Sequence, residues 1–598
     1  MATKHPAILV ERNIRVAMRD GVHLATDIWR PSDSDNVPIL ISRTPYGKKA
    51  IAATTSPESL AKAGFAVVIQ DCRGRFDSEG EWTYLHSEIN DGYDTVEWAA
   101  AQPWSNGRVG MFGASYMGSA QWLAAIAGPP HLETILPECC AVDHWRSTFE
   151  NGAFRLSLRI GWTAVVIASM AKAWGIDDPT LQEINDSTVA FMRVATVETD
   201  ARVIEKVRLR ARSVLERVYR SRPINGNPLW HGRASWLDEM FTHESPTDSN
   251  WRLLKPPSFY STLELPAVHV GGWYDIHLVE TLDAFSSMRR QARSERARSR
   301  QHLIIGPWGH WAPQASQLGE LDFGTTAALD ITELRLSWFK ATLQGGPPAP
   351  WPPVRIFVMG ENIWRDEQEW PLARTKFTPW YFGVDGRLGP EVPPDAETPN
   401  AFTYDPGNPA PTLGGRLLGV SESPGPFDQR QLWNRPDVLV YTSAPLAAPM
   451  ELTGPVTVEL WAATDVPDTD FTAILIDVHP DGTAYNLCEG VVRARHARVA
   501  SPLRPDAVYH FTIDLVATSA LLAAGHRLCV QVSSSSFPAW EPNPNTGAPI
   551  GVDRDADLRI AHQRVFHDAL HPSHVILPII PRSEIESTLR LPPAWTIQ

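Results

Sequence analysis

The stretch Val109-Gly110-Met111-Phe112-Gly113-Ala114-Ser115-Tyr116-Met117-Gly118 decides the fold. A short apolar run ends in Gly-x-Ser-x-x-Gly, and Ser119 to Ala127 continues as a helical run of small and apolar residues. The order is strand, tight turn, helix, with a serine at the turn. Small residues on both sides let such a serine occupy a strained corner that lifts its hydroxyl out of a sheet, the arrangement of a nucleophile elbow. The usual spacing is Gly-x-Ser-x-Gly. Here the second glycine stands one place later, so the flanking strand and helix carry the reading, and Ser115 is the candidate nucleophile.

Upstream, Val37 to Ile41 and Phe65 to Ile69 are β-branched runs and Asp94 to Ala101 is helical, an alternation that predicts a mainly parallel sheet with crossover helices. Between about Asp143 and Ser245 the strand signals fade. Thr199 to Arg220 carries Val203, Ile204, Val207, Ala211, Val214, Leu215 and Val218 at helical spacing, capped by Thr199 or Asp200 and stopped before Pro223, which predicts a helical insertion. Trp162 to Ala171 reads as a buried helix. Strand signals return at Ala267 to Val270 and His302 to Ile305, each running into a glycine. The proline-dense segment Gly345 to Pro353 can continue neither a helix nor a central strand and marks a boundary. Beyond it, runs at Val354 to Met359, Val456 to Trp461, Phe471 to Val478, Val508 to Leu515, Leu528 to Val532 and Val575 to Ile580 predict an antiparallel sandwich of jelly-roll type.

Two residues that a nucleophilic serine needs stand after the returning strands, in the order acid then histidine. They are Asp275 in Gly271-Gly272-Trp273-Tyr274-Asp275 and His310 in Gly306-Pro307-Trp308-Gly309-His310. Their separation is one strand-helix-strand unit, and the longer interval back to Ser115 leaves room for the insertion. A serine hydroxyl is a poor nucleophile until an imidazole takes its proton, and a carboxylate holds that imidazole in the correct tautomer. The expected architecture is an α/β hydrolase core with an inserted helical cap domain, plus a C-terminal all-β jelly-roll domain. Its boundaries are core 1–142, cap 143–245, core resumed 246–350 and jelly roll 351–598.

A chain of 598 residues exceeds what one hydrophobic core usually organises, in keeping with several domains. Its net charge of −14 argues against nucleic acid and anionic membrane as partners. The basic run Arg289, Arg290, Arg293, Arg296, Arg298 and Arg300 reads as a solvated helix face. Five cysteines without a Cys-x-x-Cys pair suggest neither a disulfide framework nor a zinc site, which fits a reducing cytosol. No apolar stretch approaches the roughly 18 residues of a membrane span, and Met1 to Glu11 lacks an export signal. The histidines His562, His567, His571 and His574 lack the spacing and the paired ligands of a known metal site, so no metal or cofactor is expected.

The sequence is similar to the cocaine esterase and X-prolyl dipeptidyl peptidase family of serine hydrolases, and most similar to its cocaine esterase-like members. The resembling segments are Arg19-Asp20-Gly21-Val22, Arg43-Thr44-Pro45-Tyr46, Gln70-Asp71-Cys72-Arg73-Gly74, Val109 to Gly118, Gly272 to Asp275, Gly306 to His310, Phe357-Val358-Met359-Gly360 and His571-Pro572-Ser573-His574. The resemblance implies Ser115, Asp275 and His310 as a triad. It also implies an oxyanion hole made by the Tyr46 hydroxyl and the Tyr116 backbone N–H. For the acyl pocket it implies Trp162 from the cap, Leu413 from the third domain and, as a further candidate, Phe149. His277 departs from the pattern, because cocaine esterase has an aromatic hydrocarbon two residues after the acid. Two readings of that imidazole stand: it hydrogen-bonds substrate, or it points into solvent. The loop bearing Asp71, Arg73, Asp77 and Glu79 reads as structural, with Arg73 tying loops together.

The function expected is hydrolysis of a small-molecule carboxylic ester through an acyl-enzyme, with a homodimer admitted as the assembly. The alternative is an amide or peptide acylase of the same family, of X-prolyl peptidase, β-lactam acylase or α-amino acid ester hydrolase type. A non-catalytic ligand-binding protein is the reading from another class.

Overall fold

The computed structural model describes residues 7–197, 201–310, 315–346, 351–497 and 502–581. A first sheet has ten strands, in the spatial order Ile8–Ala17, His23–Pro31, Ala66–Asp71, Val37–Thr44, Ser105–Ala114, Leu132–Glu138, Ala267–Gly272, Gln301–Gly306, Val354–Val358 and Ile363–Glu367. The strands from Ala66–Asp71 to Val354–Val358 run parallel, and antiparallel strands flank them on both sides. Ala66–Asp71, Val37–Thr44 and Ala267–Gly272 are buried along their whole length, which explains why they read as continuous apolar runs rather than alternating ones. Helices Glu88–Ala100, Tyr116–Ala127, Leu278–Gln291 and Ile331–Leu343 supply crossovers.

The chain order reverses between Val37–Thr44 and Ser105–Ala114, which are neighbours in the sheet. A reversal of this kind opens a crevice at the carboxyl ends of the two strands, the usual ligand site of an open α/β sheet. Tyr46 follows the first strand and Ser115 the second, so topology alone brings them together.

One expectation is corrected. Val354–Val358 is a strand of the α/β sheet, pairing in parallel with Gln301–Gly306 through Leu303↔Val354 and Ile305↔Ile356. Ile363–Glu367 then pairs with it antiparallel. The sheet thus continues to residue 367 and does not end at 350. A five-residue apolar run has the same periodicity in a buried parallel strand as in a sandwich core, so pattern could not separate the two. Of the proline-dense segment, residues 347–350 lie outside those described.

The insertion is helical, with Trp162–Met170, Pro179–Val197, Ala201–Tyr219 and Ser235–Thr242, plus a two-residue-per-strand hairpin at Phe149–Glu150 and Ala153–Phe154. In Ala201–Tyr219 the side chains of Ala211, Val214, Leu215 and Val218 are buried and Val203 is exposed. The caps Thr199 and Asp200 lie outside the described residues. The C-terminal part is an eleven-stranded, mainly antiparallel jelly-roll sandwich built around the long strands Met450–Thr464 and Tyr509–Leu522. Its core is continuous with the acid-bearing side of the first domain: Trp273, Phe285 and Phe357 belong to one apolar cluster with Leu460, Phe511 and Leu515.

Candidate active site

Ser115 stands at the corner between its strand and helix Tyr116–Ala127 with φ 60° and ψ −126°. A non-glycine residue in this region costs about 1–3 kcal/mol, so the surroundings must hold it there. They do so from both sides. The Ser115 N–H donates to the Glu138 carbonyl at 2.9 Å, and the Ser115 carbonyl accepts from Gly118 and Ser119. Glu138 is itself fixed by a buried, two-pronged ion pair with Arg335, both bonds 2.8 Å. The glycines have steric reasons. A Cβ at Gly113, which has φ 130°, would lie 2.8 Å from the Met117 Cβ, and one at Gly118 would lie 2.5 Å from the Cys140 Cβ. The displaced second glycine is therefore what lets the helix pack against the Cys140 segment.

His310 Nε2 lies 2.9 Å from Ser115 Oγ, and His310 Nδ1 lies 2.8 Å from Asp275 Oδ1. Asp275 and His310 are buried, whereas Ser115 is half-buried and reachable. Burial alone would raise the Asp275 carboxyl; the hydrogen bond and charge of His310 outweigh it and hold the group below its ordinary range. The acid is clamped by its neighbours in sequence. Trp273 Nε1–H donates to the Phe357 carbonyl, and Tyr274 O–H donates to the Asn486 carbonyl of the jelly roll at 2.9 Å.

The Tyr46 hydroxyl is within hydrogen-bonding reach of the Ser115 side chain, and burial pushes its pKa up to about 12. It accepts a hydrogen bond from Trp162 Nε1–H at 3.0 Å, which leaves its own O–H free to donate. Trp162, expected as an acyl-pocket aromatic, orients the phenol by this bond. A π-helical turn, Ser157–Gly161, leads into it from the cap. Arg75 supports the same segment by donating to the Pro45 carbonyl at 2.8 Å, a contact that no local motif announces. Tyr116 opens its helix, so its N–H has no carbonyl one turn back to bond. Its hydroxyl faces elsewhere, accepting from Trp82 Nε1–H and Leu85 N–H and donating to Glu88.

The aromatic wall around these groups comprises Trp82, Tyr84 and Trp162, with ring centroids of 5.4–6.4 Å between Trp162 and each of Trp82, Tyr84 and Tyr116. Sequence reasoning missed Trp82 and Tyr84. Phe149 instead packs on Trp145, Phe154 and Trp251. Leu413 is half-buried, with its carbonyl accepting from Gln429, and the third-domain side chains in the buried cluster with Tyr116 are Leu418, Val420, Phe537 and Ile550.

His277 is buried, 5.4 Å from the His310 ring at an interplanar angle of 72°, so the solvent-facing reading is set aside. Burial pushes its pKa well below the ordinary imidazole range. Behind it, both carboxyl oxygens of Glu280 lack hydrogen-bond partners, and burial raises that group to about 7. Arg155 and Arg159 add positive charge that further disfavours a charged His277. Arg159 also donates to the Tyr84 hydroxyl at 2.8 Å.

Residues set aside in the sequence are accounted for locally. Arg73 bonds both Asp91 and Asp20, tying two loops, while Asp71 and Asp77 share Lys48. His567 is held between Glu397 and Asn400, His571 faces Asp568, and His574 faces the Pro572 carbonyl.

Comparison with known proteins accords with this architecture. Residues 20–312 match the X-Pro dipeptidyl-peptidase (S15 family) profile, and residues 349–576 match the X-Pro dipeptidyl-peptidase C-terminal non-catalytic domain. The chain is 34% identical to the cocaine esterase of Rhodococcus sp. (strain MB1 Bresler), over 96% of this chain and 99% of that one. It is 25% identical to a putative serine esterase of Mycobacterium bovis, over 94% of both chains. An aminopeptidase from the marine sediment archaeon Thaumarchaeota archaeon superposes with a TM-score of 0.76 at 26% identity, covering 97% of this chain and 98% of that one. An α-amino acid ester hydrolase shares the fold with a TM-score of 0.74 at 24% identity and the same coverage. By profile, by length and by identity along its whole extent, the chain belongs to the cocaine esterase and X-prolyl dipeptidyl peptidase family of serine hydrolases.

Proposed function

We propose that this serine hydrolase cleaves carboxylic esters through an acyl-enzyme on Ser115. His310 Nε2 takes the Ser115 proton as Oγ attacks the acyl carbon, and Asp275 holds the tautomer and stabilises the imidazolium. The negative oxygen of the tetrahedral intermediate receives hydrogen bonds from the Tyr46 O–H and the Tyr116 N–H. His310 then gives its proton to the departing alkoxide, which leaves as the alcohol. Water, deprotonated by His310, attacks the acyl group and regenerates the serine. The observation that carries this reading is the unbroken hydrogen-bonded series from Ser115 through His310 to Asp275. No step calls on a cofactor.

Ester rather than α-amino amide chemistry is favoured by charge. A substrate ammonium needs an ionised carboxylate to hold it, yet Glu280 behind His277 is pushed toward its neutral form, and Arg155 and Arg146 stand beside it. We place the enzyme in a reducing cytosol, since all five cysteines are buried free thiols; among the described residues no helix is long and apolar enough to cross a membrane. A matrix of chromogenic esters and matched amides, with varied acyl groups, tests the reading. It predicts a burst of alcohol equal to the enzyme present, followed by slower turnover, on esters. Turnover of amides alone would overturn it.

A further inference from the structure

At one end of the jelly roll, away from the triad residues in the chain, the sheet register assembles a second cluster of chemistry-bearing side chains. Strand Asp470–Val478 pairs antiparallel with Arg527–Ser533 through Asp477↔Leu528 and Val478↔Arg527. Continuing that register by one residue sets His479 opposite His526. Residues two apart on a strand face the same way, and directly opposed residues on paired strands share a face. Asp477, His479 and His526 therefore converge on one face of the sheet end.

The side chains bear this out. His526 Nδ1 lies 2.8 Å from Asp477 Oδ1, His479 Nε2 lies 3.5 Å from Asp477 Oδ2, and the two imidazole rings are 4.4 Å apart. One ligand atom from each lies within 4.8 Å of the others, the sole such grouping of three His, Cys, Asp or Glu among the described residues. Ligand atoms about 2.0–2.1 Å from a tetrahedral ion stand roughly 3.4 Å apart, which compares with the 2.8 and 3.5 Å between the two imidazoles and the oxygens of Asp477.

The backbone is set in advance. His479 N–H bonds the Thr483 carbonyl and its own carbonyl accepts from Gly482, while the His526 carbonyl accepts from Leu446. The Tyr485 ring meets His479 edge-on at 5.3 Å and restrains its orientation. Asp477 and His526 are largely covered, whereas the His479 side chain is 34% exposed, which leaves an entry path and room for water as a fourth ligand.

We propose that Asp477, His479 and His526 bind one divalent transition-metal ion of the zinc type, pinning two strands and a turn at this end of the sandwich. Two imidazoles and a carboxylate are the donor set such ions favour over magnesium or calcium. On binding, the ion takes the place of the hydrogen between His526 Nδ1 and Asp477, and the neutral His526 ring carries its one proton on Nε2. The site is independent of the acyl-enzyme reading.

The test uses the full chain, freed of metal with a chelator, titrated calorimetrically with ZnCl2 and followed in the visible with CoCl2. The expected result is one equivalent of Zn2+ bound, a raised thermal midpoint, and a Co2+ spectrum without a thiolate charge-transfer band. His526→Ala and His479→Ala should each weaken Zn2+ binding at least about tenfold while leaving Ser115 equally reactive toward a fluorophosphonate. Absence of saturable Zn2+ binding by the wild-type chain, a thiolate band with Co2+, or affinity unchanged in both variants would overturn the proposal. The wild-type measurements decide the matter even where a variant folds poorly.

Discussion

Asp275–His310 in the α/β core and Asp477–His526 in the jelly roll share the same 2.8 Å Nδ1 to Oδ1 separation. The pair itself does not distinguish them. In the core, both side chains are sealed from solvent and the far nitrogen of the imidazole meets a serine held in a strained corner. In the jelly roll, the third member is another imidazole, partly exposed, whose Nε2 lies 3.5 Å from the other oxygen of the same carboxylate. A hydroxyl in third place gives a proton to take and an atom to attack. An imidazole in third place gives a second ligand. The identity of the third group and the access of water to it separate nucleophilic catalysis from ion binding.

The comparison can be broken most forcefully at the core pair. Ser115→Ala and His310→Ala should each lower kcat on an ester about 10⁶-fold, and Asp275→Asn about 10⁴-fold, in steady-state assays. Tyr46→Phe should cost about 10²–10³-fold in kcat with little change in KM, because its O–H is used mainly when negative charge develops. With its pKa raised to about 12, that phenol stays a donor throughout the neutral range and should add no alkaline limb there.

Next in size is a stability effect behind the triad. Glu280, raised to about 7 from an ordinary 4.5, keeps a proton in the folded state that the unfolded chain releases. Stability is therefore lost as pH rises through the window from 4.5 to about 7 and stays lower above it. Glu280→Gln should raise the thermal midpoint at pH 8, with the gain fading toward pH 4.5. An equal change at both pH values would show that Glu280 does not titrate in that window.

His277→Phe sharpens the pocket. Relative kcat/KM for an aryl-acyl over a small alkyl-acyl ester should rise at least about tenfold if the ring borders the acyl group. The smallest effect belongs to the other pair: His526→Ala should leave ester turnover within about twofold of wild type.

The convergence of Ser115, His310 and Asp275 was legible in the sequence because each follows a recognisable strand and stands in the order the fold requires. The helical insertion and most sandwich strands were legible for the same reason, periodicity bounded by breakers. What was hidden depends on pairing at long range. Arg335 reaches Glu138 across 197 residues and Trp162 reaches Tyr46 across 116, with no local pattern to mark either. Val354–Val358 looked like a sandwich strand because its five residues carry no sign of which sheet buries them. The convergence of His479 with His526 requires a strand register that composition does not contain.

Every step of the proposed reaction passes through Ser115. Intact-protein mass spectrometry after exposure to a fluorophosphonate tests it directly. The wild-type chain should gain one phosphonyl adduct that maps to the peptide carrying Ser115, and Ser115→Ala should gain none. An unlabelled wild-type chain, or a label that persists in Ser115→Ala, would contradict it.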